Sequence, residues 1–382
     1  MKKLAIITTH PIQYQIPLFK LLKNKNIDAN VFFASKQGIK SKFKDPEFLI
    51  RFKWEIESNL LHGFKSFFPK KQKYRINDFR LAFEDLEMHI KNKKFDAILI
   101  LGWNNLHYLK AIYYAKKYNI KIIFRCENNL EAKNSVLKKI LKFFILKLLF
   151  RNFDYFLSIG KLNKNFYAFY KVDQKRIFDA PYFVNNNFFN KKINKKKIQR
   201  KFKLNSKKIV LFVGKFIDRK RPYDFIELAK LNQNNKNILF LMIGDGILKK
   251  DCIMHIRKQK LKNIHIKGFV NQSELREIYK ISHLLIQTST YETWGLTINE
   301  AMASGIPVLC TLKCGAYHDL IKNKKTGMSY DVGNIIELNN KMNFMLKNYF
   351  KFKKSDIKKV ISSYSAEKTI NSIKKILYDT KI

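Results

Sequence analysis

Cysteine, acidic residues and long apolar runs are all scarce in this 382-residue sequence. The four cysteines have neither a paired framework nor a metal-ligand spacing, so we expect free thiols and no structural zinc site. No stretch approaches the roughly 20 uncharged apolar residues that a transmembrane helix needs. The sequence therefore predicts a chain that neither disulfides nor a membrane span hold in place.

The shortage of acidic residues leaves a large positive charge. Lys and Arg number 76 against 30 Asp and Glu, a formal net charge of +46. Such a charge favours a polyanionic partner, which could be nucleic acid, an acidic membrane or a phosphorylated substrate. The abundance of Lys, Asn, Ile and Phe is also typical of an AT-rich genome, and the lysines are spread along the chain. Charge alone leaves both explanations open, and the sequence has no recognised nucleic-acid-binding motif.

The length and the alternation of patterns indicate two domains. A chain of 382 residues with 46% hydrophobic residues fits two domains of about 180 residues each. Short β-rich runs without alternating polarity, as in parallel strands covered on both faces, are separated by longer helical patterns. The predicted strands cover 4–9, 30–34, 97–101, 121–125 and 155–159, then 209–214, 238–244, 265–267, 284–287 and 308–310. This βαβ alternation predicts an α/β fold of two doubly wound domains, 1–187 and 188–365, followed by a final helix within 366–382.

Residues 291–307, YETWGLTINEAMASGIP, contain the most informative pattern. A strand is predicted just before this segment and a helix over 296–303, so Glu292 lies in a strand-end loop and Glu300 about one turn into the helix. Between them, the amides of Gly295, Leu296 and Thr297 open the helix, where unpaired N–H groups and the dipole favour an anion. The pattern predicts a cradle for a negatively charged ligand rich in hydroxyl groups.

A second pattern, residues 214–222 (GKFIDRKRP), follows a predicted strand and leads into a helix. Its four positive charges crowd one turn and would repel one another. A bound diphosphate would relieve this repulsion through charge-assisted hydrogen bonds.

Together these segments resemble the donor site of the family 4 retaining glycosyltransferases, which have the two-domain GT-B fold with a central cleft. The resemblance covers most of the chain and is strongest over 214–307. It implies that Glu292 contacts the donor sugar, that Glu300 holds the ribose, and that Lys215 and Lys220 bind the diphosphate. Glu292, Lys215 and Lys220 are thus the candidate catalytic residues. The family more often has Arg at the first of these basic positions, so Lys215 would act as a point charge.

The resemblance implies further donor contacts and an arrangement of domains. Gly214 and Arg219 would bind the donor beside the two lysines, and Gly268, Phe269 and Val270 would lie against the base. The second domain would bind the nucleotide sugar and the first the acceptor, with the final helix crossing back to the first domain. The sequence lacks an Asp-x-Asp pair, which transferases that bind nucleotide sugars through a divalent metal commonly need. We therefore expect a metal-independent enzyme without a cofactor.

The acceptor side is less constrained by the resemblance. Many relatives have a glycine-rich loop after the first strand, where this chain has His10, Gln13 and Tyr14, whose side chains can hydrogen-bond a sugar. His10 could equally be a structural histidine. Other strand-end residues expected on this side are Trp103, Arg125 and Glu127.

Residues 136–151 predict a helix with two apolar arcs. One arc, formed by Leu137, Leu141, Phe144, Ile145 and Leu148, is predicted to face the core. The other mixes Phe143, Leu146 and Phe150 with Lys139 and Lys147, and predicts a contact with an anionic membrane. A helix buried on both faces is the alternative.

The resemblance thus implies transfer of a sugar from a nucleoside-diphosphate sugar to a glycan or lipid-linked acceptor, with retention of configuration, in bacterial surface-polysaccharide or lipopolysaccharide synthesis. The expected location is cytoplasmic, on the inner face of the plasma membrane. A nonhydrolysing nucleotide-sugar epimerase of the same fold, or less plausibly a basic nucleic-acid-binding protein, is the alternative.

Overall fold

The computed structural model describes residues 1–37, 43–44, 51–52, 64–71, 74–76, 78–131, 135–194, 198–200, 208–322 and 325–378. They form two compact units. The first contains the described residues up to Phe43, those from 64 to 182 and those from 366 on. The second contains Lys44, residues 51–52 and the described residues from 183 to 365. The sequence places the boundary after 187, and the long segment of the first unit ends at Tyr182.

A parallel sheet forms the centre of the first unit. Its strands run in the order β5-β2-β1-β6-β7-β8-β9, so the direction in which strands are added reverses between β1 and β6. A separate pair, β3 and β4, lies outside both large sheets. The strands up to this point are β1 Lys2–Thr8, β2 Ile27–Phe33, β3 Phe43–Lys44, β4 Arg51–Phe52, β5 Lys65–Phe67, β6 Ala97–Ile100, β7 Lys121–Arg125, β8 Tyr155–Ser158 and β9 Ile177–Asp179.

The second unit repeats this arrangement with six parallel strands in the order β12-β11-β10-β13-β14-β15. The reversal here falls between β10 and β13, which is where doubly wound sheets open a crevice for ligands. The strands are β10 Lys208–Val213, β11 Ile238–Ile243, β12 Ile264–Lys267, β13 Leu284–Gln287, β14 Val308–Thr311 and β15 Gly327–Tyr330.

Helices connect the strands in both units. Those described are α1 Ile16–Lys23, α2 Leu86–Lys93, α3 Leu106–Lys117, α4 Val136–Phe150, α5 Lys161–Phe169, α6 Asn186–Asn190, α7 Pro222–Leu231, α8 Lys249–Lys258, α9 Gln272–Ile281, α10 Leu296–Ala303, α11 Tyr317–Leu320, α12 Ile335–Lys347, α13 Lys354–Ser362 and α14 Ala366–Tyr378. Among the described helices, none combines the length and apolarity required to cross a bilayer. The predicted α/β fold class is confirmed.

The last helix, α14, belongs to the first unit. Its buried face contains Ile370, Ile373 and Ile376, all fully buried. The Tyr378 hydroxyl donates to the carbonyl of Asn26 (2.9 Å), and the Ser372 hydroxyl donates to the carbonyl of Asp179 (2.5 Å). These contacts fix the helix beside β9 and the turn that precedes β2.

The prediction for α4 is wrong in its assignment of faces. Leu146 and Phe150, which were predicted to contact a membrane, are buried, and Phe143 packs partly against the core. Phe150 lies among aromatic rings of the first unit, with ring centroids 5.4 Å from Phe156 and 5.3 Å from Tyr170. The arc that was predicted to be core is exposed instead. Both arcs are apolar, so helical periodicity could find them without deciding which one the aromatic core would accept.

Candidate functional site

Two loops of the second unit meet because the strands before them are neighbours. β10 and β13 pair in parallel, so the residues that follow Val213 and Gln287 emerge at the same edge of the sheet. The Thr288 hydroxyl donates to the carbonyl of Lys220 (2.6 Å), and the Thr290 amide donates to the carbonyl of Arg219 (2.8 Å). These bonds bring the two patterns predicted from the sequence into one site.

Glu292 lies at the centre of this site. Its carboxylate forms ion pairs with Arg219 (3.1 Å) and with Lys220, and its side chain is only 8% exposed. It also accepts hydrogen bonds from the Ser289 hydroxyl (2.6 Å) and the Gln287 amide (3.2 Å). Burial raises the pKa of Glu292, but the two cations and the hydrogen bonds outweigh this and hold the pKa below its ordinary value. The carboxylate is therefore ionised at neutral pH.

These ion pairs correct one expectation about the basic turn, that only a bound anion relieves the crowding of its charges. Glu292 neutralises Arg219 and Lys220 from within the protein, and Asp224 binds Arg221 through two hydrogen bonds of 2.7 and 2.8 Å. The two acids lie outside the 214–222 segment, one of them about 70 residues away in the chain, so inspecting the turn alone could not reveal them.

Sequence inspection missed Gln287, a buried residue that joins the two halves of the site. Its amide nitrogen donates to Ser289 (2.9 Å) and Glu292, and its carbonyl oxygen accepts from the Thr297 hydroxyl (3.1 Å). Gln287 thus fixes the carboxylate relative to the first turn of α10. A signal was present, because a polar residue ends an otherwise apolar buried strand at the edge where ligands bind.

The start of α10 is held by backbone contacts around Gly295, whose φ of +104° favours glycine. The neighbouring Trp294 is buried, and its indole N–H donates to Asn299 (2.8 Å). Across from it, Gly315 approaches so closely that a Cβ would lie 2.2 Å from the carbonyl oxygen of Thr293. The first amides of α10 are therefore held in a rigid loop, in the position where a helix binds anions.

Glu300 faces inward in this structure. Its residue is 1% exposed, and its carboxylate accepts a hydrogen bond from the Tyr279 hydroxyl (2.9 Å). The same hydroxyl lies 3.4 Å from the carbonyl of Thr297. Tyr279, which the sequence did not single out, thus orients Glu300 at the first turn of α10.

The Lys215 loop rests directly on the next loop along the sheet. A Cβ on Gly244 would lie 1.9 Å from the carbonyl oxygen of Gly214, and a Cβ on Gly246 would lie 2.6 Å from that of Phe216. The Phe216 amide donates to the carbonyl of Asp245 (2.9 Å). The glycines of this second loop therefore support the backbone around Lys215.

The predicted base-binding residues follow β12 at the same edge of the sheet. The Gly244 amide lies 3.3 Å from the carbonyl of Gly268, Phe269 is half-buried and Val270 is buried. A cation missed by sequence inspection, Lys249, lies here and forms a 2.6 Å ion pair with Asp245. The donor-side residues predicted from the sequence thus all follow β10, β11, β12 or β13.

In the first unit, the predicted acceptor-side residues follow β1, β6 and β7. Burial lowers the pKa of His10 to about 4, and its Nδ1 lies 2.9 Å from the Thr9 hydroxyl. The Trp103 indole donates to Asn128 (3.4 Å), and Arg125 is buried and donates to the carbonyl of Ala180 (3.2 Å). Gln13 and Tyr14 lie half-buried in the turn before α1, and Glu127 is exposed. His10, Trp103 and Arg125 each have a partner within the first unit, and an acceptor-side role for any of these residues stays a prediction.

Among the residues that the structure describes, no group of three or more His, Cys, Asp or Glu side chains is placed to hold a metal ion.

The second unit is similar in sequence to a described protein family. Residues 194–368 match the family described as "Glycosyl transferases group 1". The chain is 26% identical over 181 residues to N-acetyl-alpha-D-glucosaminyl L-malate synthase of Bacillus anthracis. The aligned residues make up 46% of each of the two chains. The chain therefore spans less than half the length of that curated relative. The segment that matches the family, 194–368, contains every donor-side residue described above.

Solved structures extend the likeness to nearly the whole chain. HepE of Anabaena, solved with UDP and glucose, has a TM-score of 0.73 at 14% identity over 99% of both chains. WaaG, a glycosyltransferase involved in lipopolysaccharide biosynthesis, has a TM-score of 0.64 at 14% identity, covering 98% of this chain and 100% of its own. These likenesses confirm the GT-B fold predicted from the sequence.

Proposed function

We propose that this chain is a family 4 retaining glycosyltransferase that moves a sugar from a nucleoside-diphosphate sugar to a hydroxyl group of a glycan or lipid-linked acceptor. One observation carries the proposal: an ionised, buried carboxylate, two cations and the start of a helix meet at the reversal point of the second sheet. The group 1 match over 194–368 supports it.

Each donor-side residue then has a chemical role. Lys215 and Lys220, with the Gly295–Thr297 amides, stabilise the negative charge of the diphosphate. Glu292 accepts hydrogen bonds from sugar hydroxyls, since an ionised carboxylate can only accept. Glu300 accepts from the ribose hydroxyls in addition to the bond that its Oε2 accepts from Tyr279, since a carboxylate has several acceptor sites. The base lies against residues 268–270.

The reaction needs no protein nucleophile. The bond between the anomeric carbon and the diphosphate oxygen breaks, and the acceptor oxygen bonds to that carbon on the same face. The departing phosphate takes the acceptor's proton, and the fixed cations stabilise the charge that develops on it. We propose that no metal ion takes part.

The donor and the biological setting come from the relatives. A UDP-sugar is the first donor to test, since HepE was solved with UDP. Because WaaG takes part in lipopolysaccharide biosynthesis, we propose a bacterial surface glycan as the product. We propose that the protein works at the cytoplasmic face of the membrane.

A thermal-shift screen of UDP, GDP and ADP, each free and as a sugar conjugate, tests this function. At about 100 times its dissociation constant, a ligand adds about 2.7 kcal/mol, which raises the melting temperature of a domain this size by roughly 5–10 °C. We expect one nucleotide series to produce such a shift and Lys220→Ala to remove it. The matched control, Lys230→Ala, changes the same charge at a site 48% exposed on α7 and should keep the shift.

The same samples distinguish transfer from its rivals. Incubation with the shifting donor alone should leave the sugar configuration unchanged, whereas an epimerase would isomerise it. Absence of any nucleotide shift in the unsubstituted protein would contradict the proposed function.

A further inference from the structure

The helix α4 presents a continuous apolar stripe to solvent. Phe144 and Leu148 are each 65% exposed and Leu137 is 77% exposed. The exposed apolar residues of this helix are Val136, Leu137, Ile140, Leu141, Phe144, Ile145 and Leu148. At about 100° per residue they occupy roughly half of the helix circumference. We call these seven residues the α4 stripe.

Every charged residue of α4 is a lysine, and the sequence of the helix, VLKKILKFFILKLLF, contains no acid. Lys138 and Lys147 are exposed; at the same helical spacing Lys138 lies just beyond one edge of the stripe and Lys147 just inside the other. Lys139 and Lys142 lie on the side that faces α5. An apolar stripe bordered by lysines is the pattern of helices that lie flat in a bilayer interface.

A groove beside the stripe continues the apolar surface. It encloses about 570 Å³ between α4 and α5, and its walls include Ile140, Phe143 and Phe144 from α4 and Phe169 from α5. Lys139 and Lys142 also line it. Phe169 is 50% exposed, so the aromatic surface extends past α4. The groove therefore offers an apolar wall with ammonium groups at its border.

We propose that the α4 stripe and this groove dock on an anionic lipid bilayer, with the stripe in the acyl boundary and the lysines at the head-group phosphates. Charge complementarity selects this occupant. A second copy would bring the lysines of two α4 helices together, and their charges would repel. Nucleic acid would pair with the lysines but would leave the seven apolar side chains without an apolar partner. This inference rests on the proposed function and names the surface through which the protein would associate with the membrane. Docking can fail while transfer to a water-soluble acceptor persists, so the two proposals fail separately.

Vesicle flotation with the full chain tests the docking surface. We expect co-flotation with phosphatidylcholine vesicles that contain phosphatidylglycerol, and about tenfold less with phosphatidylcholine alone. The triple variant Leu141→Gln/Phe144→Gln/Leu148→Gln should lose about tenfold or more of the bound fraction. Lys138→Gln/Lys147→Gln should weaken binding and reduce its loss between about 0.1 and 0.5 M salt, where the Debye length shortens.

A matched variant on the second unit controls for general loss of apolar surface. Met254, Ile336 and Phe350 are 60%, 73% and 73% exposed, and their triple substitution by Gln should leave flotation unchanged. Equal loss in this control, or no flotation of the unsubstituted chain, would overturn the proposal. So would a stripe variant that still floats but turns a dimer into a monomer in sedimentation velocity, since a second copy would then cover the stripe.

A single substitution gives a second measurement if the triple variant does not fold. Phe144→Trp should show emission quenched by brominated acyl chains in anionic vesicles, while Phe350→Trp should not. Absence of quenching at Phe144→Trp would also overturn the proposal.

Discussion

At the residue scale, Lys220 and Arg219 both pair with the Glu292 carboxylate. Under the proposed function, a diphosphate that binds Lys220 would share or displace that carboxylate. The buried acid would then hold both cations in place for the donor and reduce the net attraction that the donor experiences.

Glu292→Gln should separate binding from transfer. The amide no longer neutralises Lys220, so UDP should bind as tightly as before or more tightly. Transfer should fall about 100-fold or more, because the carboxylate that orients the sugar is lost. Calorimetry with UDP and an initial-rate assay measure the two effects. Lys220→Ala should do the opposite to binding and weaken UDP by about 10- to 100-fold. Weaker UDP binding in Glu292→Gln than in Lys220→Ala would contradict this account.

Gln287 should act through Glu292 rather than on the substrate. Gln287→Met keeps the side-chain volume and removes the hydrogen bonds to Glu292 and Thr297. We expect transfer to fall about tenfold with the folded structure retained. In a Glu292→Gln background the same substitution should have little further effect, since the residue that it positions is already changed. Independent, multiplicative effects in this double-mutant cycle would assign Gln287 a different role.

His107 predicts how the stability of the first unit depends on pH. Its Nε2 donates to the carbonyl of Phe32 (3.1 Å), its Nδ1 accepts from the Phe83 amide (3.4 Å), and burial lowers its pKa from 6.5 to about 4. Between pH 6.5 and about 4 the unfolded chain binds more protons than the folded one. The contribution of neutral His107 to the free energy of unfolding is therefore fully present above pH 6.5 and falls as the pH drops.

The expected loss between pH 7 and pH 5 is about 2 kcal/mol from this residue. Urea unfolding at both pH values measures it, and His107→Gln, which keeps a donor and an acceptor, should remove about that much of the pH dependence. An unchanged pH dependence in the variant would show that His107 does not titrate as described.

At the element scale, the loops after β10 and β11 depend on glycine for different reasons. A Cβ on Gly244 would lie 1.9 Å from the Gly214 carbonyl oxygen, and its φ is +142°. A Cβ on Gly214 would meet only ordinary contacts, with Phe212 at 3.6 Å and Lys220 at 3.8 Å. Packing therefore requires glycine at 244, whereas glycine at 214 leaves space beside Lys220.

Gly244→Ala should therefore destabilise the second unit by about 2–3 kcal/mol or more. Gly214→Ala should unfold at nearly the unsubstituted temperature and still bind UDP less tightly, because its methyl group enters the space beside Lys220. Thermal melts and UDP calorimetry on both variants check the pair. Equal destabilisation by the two substitutions would remove the distinction.

Strong local patterns made much of the fold predictable from the sequence. Residues 121–125 and 284–287 are strands with the predicted bounds, and α10 covers 296–303 as expected. The strands that were missed are the two-residue pair β3 and β4 and the edge strands β5, β9 and β15 of the two large sheets. Their sequences lack the continuous apolar run by which the other short strands were predicted. The faces of α4 could not be predicted, because the distant rings that bury Phe150 decide them.

The residues of the candidate donor site were identifiable from the sequence to a similar degree, and their roles stay predictions. Glu292, Lys215 and Lys220 stand out because their spacing matches a known pattern. Their partners do not, since the pairing of Glu292 with Lys220 follows from the adjacency of β10 and β13, which only the sheet order reveals. Tyr279 was missed because its contact with Glu300 depends on how α9 packs against α10. Gln287 was missed although the polar end of an apolar strand pointed to it.

At the scale of the whole molecule, the charge of +46 gives weak evidence about function. It attracts any polyanion, so affinity for RNA or for a basic-protein matrix would not identify a ligand. The positions of the charged groups in the second unit can select one ligand, whereas the total charge attracts every polyanion. A site built from Lys220, Glu292 and the first turn of α10 should distinguish a nucleoside diphosphate from a random polyanion.

The central claim is that the second unit binds a nucleoside diphosphate with fixed cations and backbone amides and without a divalent ion. Isothermal titration of UDP into the full chain in the presence of EDTA, with RNA as competitor, tests it most directly. We predict binding that survives the chelator, persists with RNA present and is lost in Lys220→Ala but kept in Lys230→Ala. Binding that disappears with EDTA and returns only with manganese, or that is equal in both lysine variants, would contradict the account.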